Sequence, residues 1–62
     1  MQVGDKVRFL KAAQALNLGI ASQAIGTVVE VYKDPRQSVL TDVQFVGHLP
    51  VLGYSVKAFV PA

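Results

Sequence analysis

Gly26-Thr27-Val28-Val29-Glu30-Val31-Tyr32 is the stretch that decides the fold of this chain. A glycine opens it, four of the next six residues are β-branched, and an aromatic closes it. Two heavy atoms on Cβ restrict χ1 against a helical turn but pack well on a pleated surface, so the stretch predicts a largely buried β-strand. Upstream, Lys6-Val7-Arg8-Phe9-Leu10 places Val7 and Phe9 in alternation with Lys6 and Arg8, the pattern of a half-buried first strand. Gly4-Asp5 before it reads as a tight turn, because glycine tolerates positive φ and aspartate can bond the backbone.

Downstream, Lys33-Asp34-Pro35-Arg36-Gln37 has aspartate and proline at the first two positions of a type I turn and reads as a hairpin tip. Val39-Leu40-Thr41-Asp42-Val43-Gln44-Phe45 is a third strand, with Val39, Thr41, Val43 and Phe45 on one face and Leu40, Asp42 and Gln44 on the other. Residues 47–53 are bounded by Gly47 and Gly53 and contain Pro50, which predicts a loop, although an unusually apolar one. Tyr54-Ser55-Val56-Lys57-Ala58-Phe59 alternates again and predicts a fourth strand. Between Lys11 and Ile25 the chain carries helix formers over residues 11–18, with Gly19 at the position of a helix C′ glycine. Two turns of helix, or an irregular loop with one turn, both fit so short a stretch. The expected architecture is all-β over residues 1–62 as one small domain: a barrel or curled sheet of four to five strands, with a long first loop that has room for one short helix.

A chain of 62 residues has little core to draw on, burying about 60% of its unfolded surface. With no cysteine it has neither a disulfide framework nor a thiolate metal site, which leaves oligomerisation as the common remaining remedy. The apolar fraction is 52% and the charged fraction 16%, the latter well under the usual ~25%. So little charge leaves apolar side chains on the surface and points to an interface with a copy or a partner. The net charge of +2 is weak and the six basic residues are scattered, so a nucleic-acid footprint would have to be assembled by the fold. Neither a membrane span nor a signal peptide is legible, and the expected location is cytoplasmic.

Val3-Gly4-Asp5-Lys6-Val7-Arg8, then Gly26 to Tyr32, then Val43-Gln44-Phe45-x-Gly47 resemble the first three strands of bacterial Src-homology-3-like small β-barrels. The closest likeness is to short uncharacterised barrels with a GD-x-V … LGL-x-x-G-x-x-GTVVEVY … V-x-F pattern, from which Gln23 departs where a glycine is expected. The resemblance covers nearly the whole chain, and its motifs are fold-forming ones shared by families of unrelated function. Such barrels continue into a fifth strand; after Val60-Pro61-Ala62 that strand is either minimal or replaced by an edge closed by another chain.

Residues that could carry chemistry are few. His48 is the only histidine and reads as a polar loop residue, with no second ligand near it in sequence. Asp5, Glu30, Asp34 and Asp42 are isolated acids, and no serine or glycine motif marks a nucleophile or a phosphate loop. Leu49, Pro50, Val51, Leu52 and Tyr54 form the candidate partner-binding patch, read equally well as a loop folded over the barrel's end. Arg8, Tyr32, Lys33, Arg36 and Lys57 form a candidate nucleic-acid face, with cations for phosphates and one aromatic for stacking. Gly4-Asp5-Lys6-Val7-Arg8 also resembles the opening of type II dihydrofolate reductases, and Val43-Gln44-Phe45 their Val-Gln-Ile-Tyr strand. Here Val46 replaces the tyrosine and Gly53-Tyr54 follows the strand instead of preceding it. The expectation is a non-enzymatic module without cofactor or metal, binding protein as a homo-oligomer or accessory subunit through the apolar loop and an open sheet edge. The alternatives are a ribosome- or transcription-associated nucleic-acid-binding barrel and, behind it, a multi-subunit reductase.

Overall fold

A computed structural model describes residues 1–62. In chain order it contains β1 (Lys6–Phe9), α1 (Ala12–Asn17), β2 (Gly26–Lys33), β3 (Val39–Phe45), β4 (Val51–Ser55), one turn of 3-10 helix (Val56–Ala58) and β5 (Phe59–Pro61). The five strands form one antiparallel sheet in the order β4-β3-β2-β1-β5, with β4 and β5 as its two edges. The protein is thus all-β with little helix, as the alternation of the sequence implies.

The buried face collects one residue in two from each strand. Val7 and Phe9 of β1, Val28 of β2, Thr41, Val43 and Phe45 of β3, Val51 of β4 and Phe59 of β5 are all buried. Phe9 is the centre: its ring stacks on Phe45 at 5.6 Å, lies 4.6 Å from Phe59, and receives Tyr54 edge-on at 5.9 Å. Offset and edge-on contacts suit the ring quadrupoles, and these four rings carry much of the apolar area a core this small can bury. Gly26 lies under them because there is no room for a side chain: a Cβ there would stand 2.5 Å from Val43 Cγ1 and 2.9 Å from the Phe45 ring.

The alternation of β2 is interrupted once. Its register with β3 shifts between Val28 and Glu30, so Val29 is the extra residue of a bulge and turns outward. Buried Thr41 answers the disturbed ladder by donating its hydroxyl to the Glu30 carbonyl at 2.8 Å. The hairpin tip forms as its turn residues require. Gln37 N–H bonds the Asp34 carbonyl at 2.9 Å, and Asp34 Oδ1 accepts from the amides of Arg36 and Ser38, each at 2.9 Å.

The stretch from Lys11 takes the helical alternative. α1 ends in a Schellman arrangement in which Gly19, at φ +76°, donates to Leu16 O while Ile20 donates to Ala15 O, satisfying carbonyls that the helix end would orphan. Buried Ala15 and Ile20 fasten this turn to the core.

The C-terminal third differs from its expectation. The segment read as a loop over 47–53 is a loop only to Pro50; Val51 starts β4 and enters the core. The strand read over 54–59 stops at Ser55, whose Oγ accepts from Lys57 N–H at 3.2 Å and starts the 3-10 turn. β5 follows and pairs with β1 at Val7–Pro61, Arg8–Val60 and Phe9–Phe59, so a fifth, minimal strand is present. Leu10 N–H bonds Ala58 O and Ala62 N–H bonds Lys6 O, so the backbone groups of Val60 face β1 and those of Phe59 and Pro61 face away. The Phe59 N–H is taken by Val56 O, and Pro61 has none.

Candidate interaction surface

The ten charged side chains of this protein are unevenly placed along the chain. Residues 12–29 contain none, and neither do residues 43–56. The fold brings these two stretches together at one end of the sheet. His48, in the β3–β4 connection, has Nε2 2.7 Å from Leu18 O and Nδ1 2.6 Å from Leu49 O, tying that connection to the end of α1. A neutral imidazole donates from one nitrogen only, so the tautomer decides which carbonyl is served. Gln44 Nε2 holds the connection from the other side, donating to Phe45 O at 2.8 Å and His48 O at 2.6 Å. With its ring proton on Nε2, His48 is a structural tie to Leu18 O across 30 residues of sequence.

A hollow of about 330 Å³ lies at this junction between residues 19–25 and 45–48, lined by uncharged groups only. Its rim is apolar and open. Val46 is 100% exposed and Ile25 57%; beyond the hollow, Leu49 of the same connection is 81% exposed and Leu52 of β4 66%. Of the partner-binding residues expected from sequence, Leu49, Pro50 and Leu52 are exposed. Val51 is not: it is buried beside Val43, its partner on β3. Tyr54 is half-buried with its ring against Phe9 and Phe59, so it belongs mainly to the core. Ile25 and Val46 were missed by the sequence reading, although the two charge-free windows that contain them are legible in it.

The expected nucleic-acid residues are divided between places. Cross-strand partners share a face, so Tyr32, Leu40 and Ser55 form one row, with Glu30 and Asp42 on the same outer face as Tyr32. Lys33 and Val39, one position on, belong to the opposite face. Arg36 and Lys57 line a common groove with Val39. Arg8 lies on β1, with β2 standing between it and β3. The tip cations therefore meet, while Tyr32 and Arg8 do not join them. Of the six basic side chains only Lys6 hydrogen-bonds within the chain, to Thr27 Oγ1 at 2.6 Å.

Tyr32 has a different environment. Its hydroxyl donates to Asp42 Oδ1 at 2.8 Å, and the same oxygen accepts the Gly53 N–H at 2.8 Å. That bond to the carboxylate, followed by partial desolvation and the negative charges of Asp42 and Glu30, holds the phenol above its usual pKa. Asp42 thus pins β4 to the outer face of β2 and β3 at the point where Gly53, at φ +71°, lets the strand bend.

No group of three or more His, Cys, Asp or Glu side chains is placed to hold a metal ion, and no helix is long and apolar enough to cross a membrane. No protein-family model matches the sequence, and no curated protein or solved structure matches it either.

Proposed function

We propose that this protein is a non-enzymatic binding module that docks protein, either a second copy or the apolar surface of a larger assembly, through its charge-free end. We read its five-stranded sheet as a Src-homology-3-like small barrel. The strand order, the long first loop and the 3-10 turn before a short last strand support that reading. The observation that carries the function is that two charge-free stretches of sequence meet at the hollow between residues 19–25 and 45–48, where Ile25 and Val46 are open to solvent, with Leu49 and Leu52 exposed further along the chain. Scattered exposed apolar residues are ordinary, but exposed Ile25 and Val46 beside a hollow whose lining holds no Asp, Glu, Lys or Arg have the composition of an interface core. β4, which carries Leu52, is also an edge strand, so the apolar surface and an open sheet edge adjoin.

A standard interface buries about 800 Å² per partner. Against a total surface of 4126 Å², that is about a fifth of this protein, an area one end of the molecule can supply. The test is the solution mass by light scattering over a concentration series, with Leu52→Asp and Val46→Asp as variants. Both positions are exposed, so the charge is harmless to the monomer and costly only in a desolvated interface. Self-docking predicts a concentration-dependent dimer or larger species that each variant dissociates. With a monomeric wild type, docking on another protein predicts capture that both variants abolish. A monomer whose pull-down partners are the same for wild type and variants refutes the proposal.

A further inference from the structure

We propose that the groove under the β2–β3 hairpin tip is a binding site for a phosphate group, separate from the apolar end. It has a volume of about 350 Å³ and lies between residues 36–39 and 55–57, so its walls come from the tip and from the 3-10 turn. Arg36 stands on one wall and Lys57 on the other, and no acidic residue lines it. Ser38, Ser55 and the Gln37 amide supply neutral polar groups, and Val39 and Val56 an apolar floor. Lys33 is the cross-strand partner of Val39 and so adjoins the tip in the ladder, although it does not line the groove.

Two features hold the walls of this groove in place. The tip backbone is fixed by Asp34 Oδ1, which accepts the amides of Arg36 and Ser38, so the nearest carboxylate is already committed to backbone donors. The opposite wall is fixed by Ser55 Oγ accepting from Lys57 N–H. The acids of β2 and β3, Glu30 and Asp42, do not line the groove, and Asp42 Oδ1 is shared by Tyr32 and Gly53. A phosphate brings about −1.5 to −2 charges and three strong acceptor oxygens, which matches a guanidinium fork, an ammonium group and hydroxyl donors lining one groove. The phosphate can come from a free diphosphate-bearing molecule or from the backbone of single-stranded RNA, and the two sources share this chemistry.

The experiment follows backbone amide shifts of the whole chain by NMR at low ionic strength, titrating inorganic pyrophosphate and, separately, oligouridylate. A site predicts saturable shifts confined to residues 33–39 and 55–57 with one or both probes. Arg36→Ala and Lys57→Ala should each weaken binding about tenfold, and the double variant should abolish it. All these side chains are exposed, so the variants keep the wild-type melting temperature. Saturation by pyrophosphate identifies a small-molecule source; saturation by the oligonucleotide alone identifies a strand backbone. Absence of saturation with both, equal shifts at Lys6, Arg8 and Lys11, or binding that survives the double variant overturns the proposal.

Discussion

Replacing Gly26 by alanine tests the packing at the point where the structure is least forgiving. The backbone there does not require glycine for its φ, so the effect is purely steric. The added methyl would stand 2.5 Å from Val43 Cγ1 and 2.9 Å from two atoms of the Phe45 ring, all of them in the buried core. Neither neighbour is a flexible chain end that can swing away. Phe45 is itself stacked on Phe9, so relief must come from moving β2 off β3. Forced methylenes in packed cores cost about 1–3 kcal/mol, and we place Gly26→Ala at the upper end, about 3 kcal/mol. A chain of this size has about 3–9 kcal/mol to lose, and the midpoint of thermal unfolding should fall by about 12–24 °C. Urea unfolding followed by circular dichroism reads the same loss as a lower midpoint with an unchanged slope. The decisive control is Gly26→Ala with Val43→Ala. Removing Val43 Cγ1 makes room, so the pair should be less destabilised than the sum of the single variants by at least about 1 kcal/mol. A Gly26→Ala protein as stable as wild type, or strict additivity of the pair, would refute the packing described for this strand.

Three further outcomes follow from single contacts. Thr41→Val keeps the side-chain shape but leaves the Glu30 carbonyl at the bulge without its donor, and denaturant unfolding should register a loss of about 1–3 kcal/mol, whereas Thr41→Ser should keep the bond. Asp34→Ala removes the acceptor for two amides at the hairpin tip; hydrogen exchange at Arg36 and Ser38 should accelerate while exchange in β1 stays unchanged. The raised Tyr32 pKa makes its neutral, hydrogen-bonded form the stabilising one. That contribution is complete below the unfolded tyrosine pKa near 10.0 and is lost as pH rises through the higher folded value. Phenolate absorbance in a Tyr54→Phe background should show Tyr32 ionising at lower pH in Asp42→Asn than in the protein with Asp42 intact.

The parts of the fold legible in the sequence are those set by neighbours in the chain. β1, β2 and β3 announce themselves by alternation, the tip by Asp34-Pro35, and the end of α1 by Gly19. The errors fall where a distant contact overrides a local signal. Gly53 and Pro50 argued for a loop, yet Gly53 continues β4 because its N–H reaches Asp42 and its positive φ fits a bulged pairing with β3. Tyr54 to Phe59 alternates like a strand, yet Ser55 captures Lys57 N–H and turns the chain toward β1. His48 looked like an idle loop residue because its partner, Leu18 O, is 30 positions away. The pairing of Arg36 with Lys57 across a groove is equally non-local. The charge-free windows are plain in the sequence, but only the fold puts them at the same end.

The last strand has a consequence for how copies of this protein can assemble. With the Phe59 amide already engaged and proline at 61, the free side of β5 offers carbonyls but no donor to an incoming strand. Pairing between sheets along β5 is therefore disfavoured. An edge that accepts but cannot donate leaves an incoming strand's carbonyls unpaired, so at this margin it interrupts the repeated strand addition that fibril ladders require.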